Sequence, residues 1–356
     1  MHYNLALLGF GNVGRSTAEL LLRKQAELKA TYDISFSVTG IATGSRGRAI
    51  NPAGLDLPKV LAAMRAGETL AQFDLVPSSD SIDFIKKSGA DVLLENSPVN
   101  YETGQPAIDH IRCALELGMH VATANKGPVV HAWHELKALA KSKGKQFFHE
   151  STVMDGAPIF SLFRGALPAA RLNSFRAILN STTNLILSRM EAGESFDDAV
   201  KYAQKIGLAE TDPSGDVDGW DAAIKIAALA TVLMDIQIKP AEIDRTGIRA
   251  ITPAMIQAAK AEGKRYKLIC SAERDGDKLK SKVAPELVPM NSPFYGVEGS
   301  TSIVQFNTDV LGSLTLIEAD PGPHTTAYGL LADFINAVTS KYYNLSVTSL
   351  AKHFNF

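Results

Sequence analysis

The stretch YNLALLGFGNVGRSTAELLL, residues 3–22, decides the fold. Residues 3–8 read as a central strand, mostly apolar without alternation, as expected of a strand covered on both faces. Glycines follow at 9, 11 and 14, the G-x-G-x-x-G spacing, and a helical pattern runs from about Val13 to Leu28. A strand turning tightly into a helix through this spacing is the setting in which a dinucleotide pyrophosphate is held. Gly9 permits the turn, Gly11 removes a side chain that would block the phosphates, and Gly14 lets the helix approach the strand. The helix start offers free amide donors to the anion. Gly9, Gly11, Asn12, Val13 and Gly14 are the expected cradle; turn glycines with no ligand are the plainer alternative.

The alternation continues outward from this unit. A strand is expected at about Ile34–Ala42, and no acid stands at its end to hold ribose hydroxyls. Thr43, Gly44, Ser45, Arg46, Gly47 and Arg48 follow instead. Arg46 in this loop would meet a 2′-phosphate, which favours NADP over NAD; a solvent-facing basic loop is the alternative. Strands at 91–95, 120–123 and 146–149 alternate with helices at 106–117 and 129–142, a βαβ rhythm that implies a mostly parallel sheet. Ligands bind beyond the carboxyl ends of such strands, where the loops 96–100, with Ser97, and 124–128, with Lys126, are placed. A lysine held at the mouth of the sheet is a candidate for function rather than solvent decoration.

Past residue 150 the pattern changes. His149–Gly156 is a polar, glycine-containing crossing in which Glu150 and Asp155 could hold a hard cation, although a hinge would look the same. A strand at 172–179 leads into Asn180-Ser181-Thr182-Thr183-Asn184 and a helix, with Ser181 or Thr182 as its cap and its free amides open to a carboxylate. Residues 207–225, GLAETDPSGDVDGWDAAIK, crowd acids around turn residues ahead of an apolar helix. Asp221 and Lys225, four apart, share a face of that helix, and a charge pair on an otherwise apolar helix is costly unless used or fully paired. Glu210, Asp212, Asp216 and Asp218 precede it, suited to an ammonium group; their spacing does not match an EF-hand calcium loop. Alternating segments near 266–272, 281–288, 302–307 and 312–317 imply a mixed sheet covered by helices, a common dimer surface, with a last helix at about Thr325–Val338.

The chain has 356 residues, a formal net charge of −2 and two cysteines, Cys113 and Cys270. This length suits two or three domains. The charge gives no general attraction to nucleic acid or to an anionic membrane. No signal segment or membrane-length apolar run is read, and the cysteine usage fits a reducing, cytoplasmic compartment.

GFGNVG at 9–14, ENSPVNYETGQPA at 95–107, TANKGPV at 123–129, HESTV at 149–153, NSTTNLIL at 180–187 and the 207–225 segment, in this order, resemble the homoserine dehydrogenases. The resemblance implies NAD(P)H-dependent, reversible reduction of L-aspartate 4-semialdehyde to L-homoserine, on the route to threonine, isoleucine and methionine. It implies that Glu210, Asp216 and Asp221 bind the substrate, to which the helix start adds Thr182 as a candidate, and that Lys225, held by Asp221, is the catalytic lysine. Lys126 is placed between cofactor and substrate, the two lysines being able to exchange roles beside the nicotinamide. A sodium or potassium ion is implied on Glu150, Val153, Asp155 and Ala157, partly through carbonyls. Ser181 stands where the family usually has glycine, Trp220 is bulkier than expected, and Asp320-Pro321-Gly322-Pro323-His324 replaces a glycine-rich segment.

The expected architecture is α/β: a Rossmann-type NAD(P)-binding domain over 1–150, an α+β substrate-binding, catalytic and dimerisation domain with a mixed sheet over 151–318, and a segment over 319–356 returning to the first domain. A homodimer or homotetramer is expected, with a small-molecule substrate, no nucleic acid, no membrane and no C-terminal regulatory domain. A related oxidoreductase acting on another amino-acid semialdehyde or hydroxy acid, and a non-catalytic dinucleotide sensor, are the alternatives.

Overall fold

The structure, a computed structural model, describes residues 1–276 and 278–349, with side chains through Thr339. It divides into two compact units. The first comprises Met1–Pro128, Ala132–Gly156 and the chain from Pro323 onward; the second comprises Val129–His131 and Ala157–Gly322. Residues 350–356 of the expected returning segment lie outside the described residues.

In the first unit, β1 (His2–Leu8), β2 (Ser35–Ala42), β3 (Arg48–Ile50), β4 (Val92–Glu95), β5 (His120–Thr123) and β6 (Phe147–Phe148) form one sheet. Its order is β3-β2-β1-β4-β5-β6. All neighbours run parallel except β3, which returns antiparallel on β2. The chain leaves β1 for β2 on one side and later fills β4 on the other, so the order reverses between β1 and β4. A crevice at such a reversal, at the carboxyl ends of the strands, is where doubly wound sheets take ligands. The helices are α1 (Asn12–Tyr32), α2 (Leu57–Arg65), α3 (Ser81–Lys87), α4 (Ala107–Glu116) and α5 (Lys126–Ser142). α5 starts three residues earlier than its apolar pattern suggests, because Asn125 caps it by accepting from Gly127 N, and it breaks at Ala132 (φ −141°).

The apolar core of this unit joins Leu5 and Leu7 of β1, Leu20, Leu21 and Leu28 of α1, and Val38 and Ile41 of β2. The long C-terminal helix (Pro323–Ser349) belongs to the same core through Ala327, Leu330, Leu331 and Phe334. Phe334 is fully buried and meets the Tyr3 ring edge-on at 6.1 Å. Burial of so large a ring helps to hold this helix in the core.

The second unit is built on β7 (Leu172–Ile178), β8 (Asp244–Arg245), β9 (Lys264–Asp275), β10 (Lys278–Pro289), β11 (Ser302–Thr308) and β12 (Gly312–Glu318). The order is β12-β11-β7-β9-β10-β8, antiparallel except for the β8–β10 pair, and therefore a mixed sheet. After a single turn, α6 (Ile159–Ser161), its helices are α7 (Ser181–Glu191), α8 (Phe196–Lys205), α9 (Ser214–Val217), α10 (Trp220–Leu233) and α11 (Pro253–Ala261), and the long C-terminal helix is α12. Cys113 and Cys270 are both free and buried.

One buried charge stands out in the second unit. Lys267 of β9 has no solvent exposure and donates to two neutral acceptors, Val297 O at 2.6 Å and Asn184 Oδ1 at 3.3 Å. Burial pushes its ammonium down to about 8. A depressed ammonium penalises the folded state fully below that pH, and the penalty fades as pH rises toward the ordinary lysine value of about 10.4.

Two outcomes follow. Phe334→Ala lowers the unfolding free energy of the first unit by about 3–5 kcal/mol, measured by chemical denaturation. Between about pH 8 and pH 10, the melting temperature of the wild type rises relative to that of Lys267→Met, which lacks this titration; parallel curves would refute the assignment.

Candidate functional site

The glycine turn fits a dinucleotide by three independent signs. A Cβ at Gly9 (φ +93°) would lie 2.3 Å from Asn96 O, and one at Gly14 would lie 2.3 Å from Gly9 O, so the fold itself demands these two glycines. A Cβ at Gly11 would meet nothing within 4 Å, which leaves open space over the turn. Gly11 is also the N-cap of α1 and supplies no side-chain cap, so the first amides of that helix, at Asn12, Val13 and Gly14, face a ligand position. Arg15 in the same turn is held by Asn12 Oδ1 at 2.7 Å and adds positive charge beside those amides; it was not singled out from the sequence. The third sign is Asn96, at the reversal between β1 and β4. Both polar atoms of its side chain are buried without a hydrogen-bond partner, an arrangement that calls for a ligand or water.

The loop after β2 is a closed turn. Thr43 N donates to Gly47 O at 2.9 Å, and Arg46 N donates to Thr43 Oγ1 at 2.7 Å. Arg46 Nη1 donates to Met64 O at 2.7 Å, and Arg48 reaches the carbonyls of Ser78 and Ser79 at 3.0 and 2.8 Å. Both guanidiniums are anchored rather than waving in solvent. Ser97 lies in the loop after β4, and Lys126, half-buried, is the first residue of α5.

In the second unit the 207–225 segment separates into two kinds of acid. Asp212 accepts from Ser214 N at 3.0 Å and caps a turn, and Asp218 is paired with Arg249. These two, grouped with the others on sequence, serve the local fold. Asp216 and Asp221 are different. Both accept from one amide group, Asn180 Nδ2, at 2.6 and 3.0 Å. Lys225 Nζ lies 2.9 Å from Asp221 Oδ2 and donates to Leu179 O at 2.6 Å. The side chains of Lys225 and Asp221 are only 15% and 11% exposed, so their pairing is screened little by water. Burial, and then the nearby Asp221 charge, push the Asp216 carboxyl above the usual carboxylate range.

Asn180 is the residue that sequence reasoning missed. It, and not Ser181 or Thr182, caps α7: its Oδ1 accepts from Thr183 N at 2.8 Å while its amide nitrogen holds the two acids. An asparagine between a strand and Ser-Thr-Thr was the available signal. Thr182 is buried and reaches Leu208 O at 3.3 Å. Glu210 is exposed and is not drawn into the Asn180 cluster. Ser181 Oγ stands 3.5 Å from Ser302 Oγ, and the Trp220 ring is covered by the Arg245 guanidinium at 3.6 Å, which accounts for its bulk.

At the crossing between the two units in sequence, Glu150 is buried and its main-chain N donates to Asp333 Oδ2 at 2.7 Å. Val153 is buried, Asp155 (φ +40°) accepts from Thr325 Oγ1 at 2.9 Å, and Ala157 O accepts from Ile159 N at 2.8 Å. Among the described residues no group of three or more His, Cys, Asp or Glu is gathered as for a metal centre. An ion here would rest largely on carbonyl oxygens.

The family profile described as "Homoserine dehydrogenase, NAD binding domain" matches residues 9–150, and that described as "Homoserine dehydrogenase" matches residues 158–335. A homoserine dehydrogenase of Methanocaldococcus jannaschii is 38% identical over 95% of this chain and 99% of its own length. An NAD(+)-dependent homoserine dehydrogenase of Pseudomonas canavaninivorans is 34% identical over 94% of this chain and 96% of its own. A crystal structure of a homoserine dehydrogenase from Thiobacillus denitrificans superposes with a TM-score of 0.79, at 29% identity, over 95% of this chain and 73% of that one. The chain belongs to the homoserine dehydrogenase family.

Proposed function

We propose that the first unit holds a nicotinamide dinucleotide and that the second binds L-aspartate 4-semialdehyde, which is reduced reversibly to L-homoserine. The observation that carries the substrate is the charge balance around Asn180. Two carboxylates, Asp216 and Asp221, face one lysine, Lys225. Asp216 is held there by a neutral amide, and burial, then the nearby Asp221 charge, raise its carboxyl, so negative charge is costly in this half-buried place. An incoming ammonium group relieves that cost, and the exposed Glu210 adds to the attraction. The substrate carboxylate is assigned to the free amides at the start of α7, next to Thr182.

When bound, the dinucleotide supplies the hydride. The protein's task is the proton and the charge that develops on the aldehyde oxygen. Lys225 Nζ makes two bonds, to Asp221 and Leu179 O, and has a third N–H for that oxygen. Asp221 and the carbonyl orient the ammonium, so little reorganisation is needed when charge appears. Lys126, at the first turn of α5, is assigned to support the dinucleotide electrostatically.

The preferred cofactor is proposed to be NADP. Support comes from the missing acid after β2 and from the anchored Arg46, which retains donors beyond the one given to Met64 O. NAD is the second reading, favoured by the printed name of the Pseudomonas relative. A sodium or potassium ion is proposed on Glu150, Val153, Asp155 and Ala157, partly through carbonyls. Assembly as a homodimer or homotetramer is supported by exposed Val310, Leu311 and Ile317 about the β11–β12 hairpin. Among the described residues no helix is long and apolar enough to cross a membrane; a cytoplasmic location is part of the proposal.

Three experiments test these assignments. Oxidation of NADPH by L-aspartate 4-semialdehyde should exceed that by succinate semialdehyde, which lacks the ammonium, by about 100-fold or more in kcat/KM; similar rates would sink the substrate assignment. In the same assay Lys225→Ala should lose at least about 100-fold in kcat with its dinucleotide affinity kept, and a folded variant with wild-type turnover would remove Lys225 from the mechanism. Arg46→Ala should lower kcat/KM for NADPH about tenfold while changing that for NADH less than about twofold. Equal losses on both would return Arg46 to a purely structural place.

A further inference from the structure

Glu95, the last residue of β4, is a carboxylate with no solvent exposure. Its ion-pair neighbour is the imidazole of His110, 3.9 Å away, which is a cation only when protonated. An isolated buried charge is expensive, and it persists only where hydrogen bonds hold it. Here the donors are Ser97 N at 3.0 Å, the Ser97 hydroxyl, and Thr123 Oγ1 at 2.8 Å.

These bonds close a circuit. Thr123 Oγ1 in turn accepts from Asn125 N at 3.0 Å. Asn125 Nδ2 returns to Ser97 O at 3.0 Å and Pro98 O at 3.3 Å. Asn125 Oδ1 caps α5 through Gly127 N at 3.0 Å. One carboxylate thus locks the loop after β4 to the loop after β5, and it fixes the main chain of Ser97 against the start of the helix that carries Lys126. Asn96, inside the locked segment, keeps both side-chain polar atoms buried and unpaired. The loop is tied at several points yet its own hydrogen bonding is incomplete, as suits a preformed receptor.

We propose that Glu95 is a positioning residue for the dinucleotide: it holds the Ser97 loop and the α5 start in the one register that the cofactor fits. This rests on the reading of the first unit as a dinucleotide site. A carboxylate suits the task because it only accepts, and all its neighbours in the circuit donate to it. A glutamine of the same shape would turn an amide donor against one of those donors.

The test is direct titration of NADPH into the full-length protein, followed by nucleotide fluorescence, without amino-acid substrate. Glu95→Gln should raise Kd about tenfold or more, with KM for the dinucleotide rising in step and KM for the semialdehyde and kcat within about twofold. Glu95→Asp, which keeps the charge, should recover part of the affinity. A folded Glu95→Gln protein with wild-type Kd, or a loss shared equally by both substrates, would overturn the proposal. If Glu95→Gln does not fold, Thr123→Val decides: it cuts the link to Asn125 and leaves the carboxylate on Ser97, so an unchanged Kd there refutes the circuit. Because binding is read without turnover, failure of the wild type to reduce aspartate semialdehyde would count against the proposed reaction and leave this result standing.

Discussion

Two carboxylates share the amide of Asn180, and a lysine pairs with one of them. The rest of the second unit is arranged around this imbalance. The capping role of Asn180 fixes the start of α7 by the same side chain that gathers the acids, so the helix amides and the acids are set in one geometry. α10 buries nearly every other residue, which keeps water away from the Asp221–Lys225 pair and preserves the strength of its field. The proposed zwitterionic substrate suits such a place, its ammonium end being assigned to the acids and its carboxylate end to the amides at the start of α7.

The first unit solves a different problem, that of bringing main chain close to a polyanion. Its sheet supplies the reversal between β1 and β4, its glycines supply the closeness, and α1 begins with uncapped amides. None of these needs a charged side chain in contact with the phosphates. This is why a chain with a net charge of −2 can still present a local anion site.

How far the sequence discloses all this depends on the range of the interaction. The glycine spacing, the apolar strands and the amphipathic helices are local, and they define the α/β class and the two-unit organisation. Asp221 and Lys225 are also local, one helical turn apart, and their pairing is legible from an apolar helix that carries only those charges. Asn180 and Asp216 are not: their bond spans 36 positions, and nothing near either residue announces the other. The Glu95–Thr123 bond likewise spans 28 positions and reads in sequence as the unremarked end of a strand. Helix starts were misplaced for a related reason. An N-cap is decided by which side chain turns back onto a free amide, so Asn125 and Asn180 begin their helices ahead of the apolar pattern.

The acids of this chain divide by the kind of partner they have, and the proposed roles follow that division together with solvent access. Asp218 is met by an arginine and Asp212 by a turn amide, which cancels or uses up their charge locally. Asp216 is met by a neutral amide, and Glu95 by hydroxyls and a main-chain N–H. Neutral donors hold a carboxylate in place without neutralising it, so its field survives. Where that surviving field lies beside free helix amides, as at Asp216, it can select a cation. Where it is sealed inside the sheet, as at Glu95, it acts on the protein itself, pulling donors from two loops onto one point. On the proposed reading, the same chemistry yields a recognition element in one unit and a clamp in the other, and solvent access decides which.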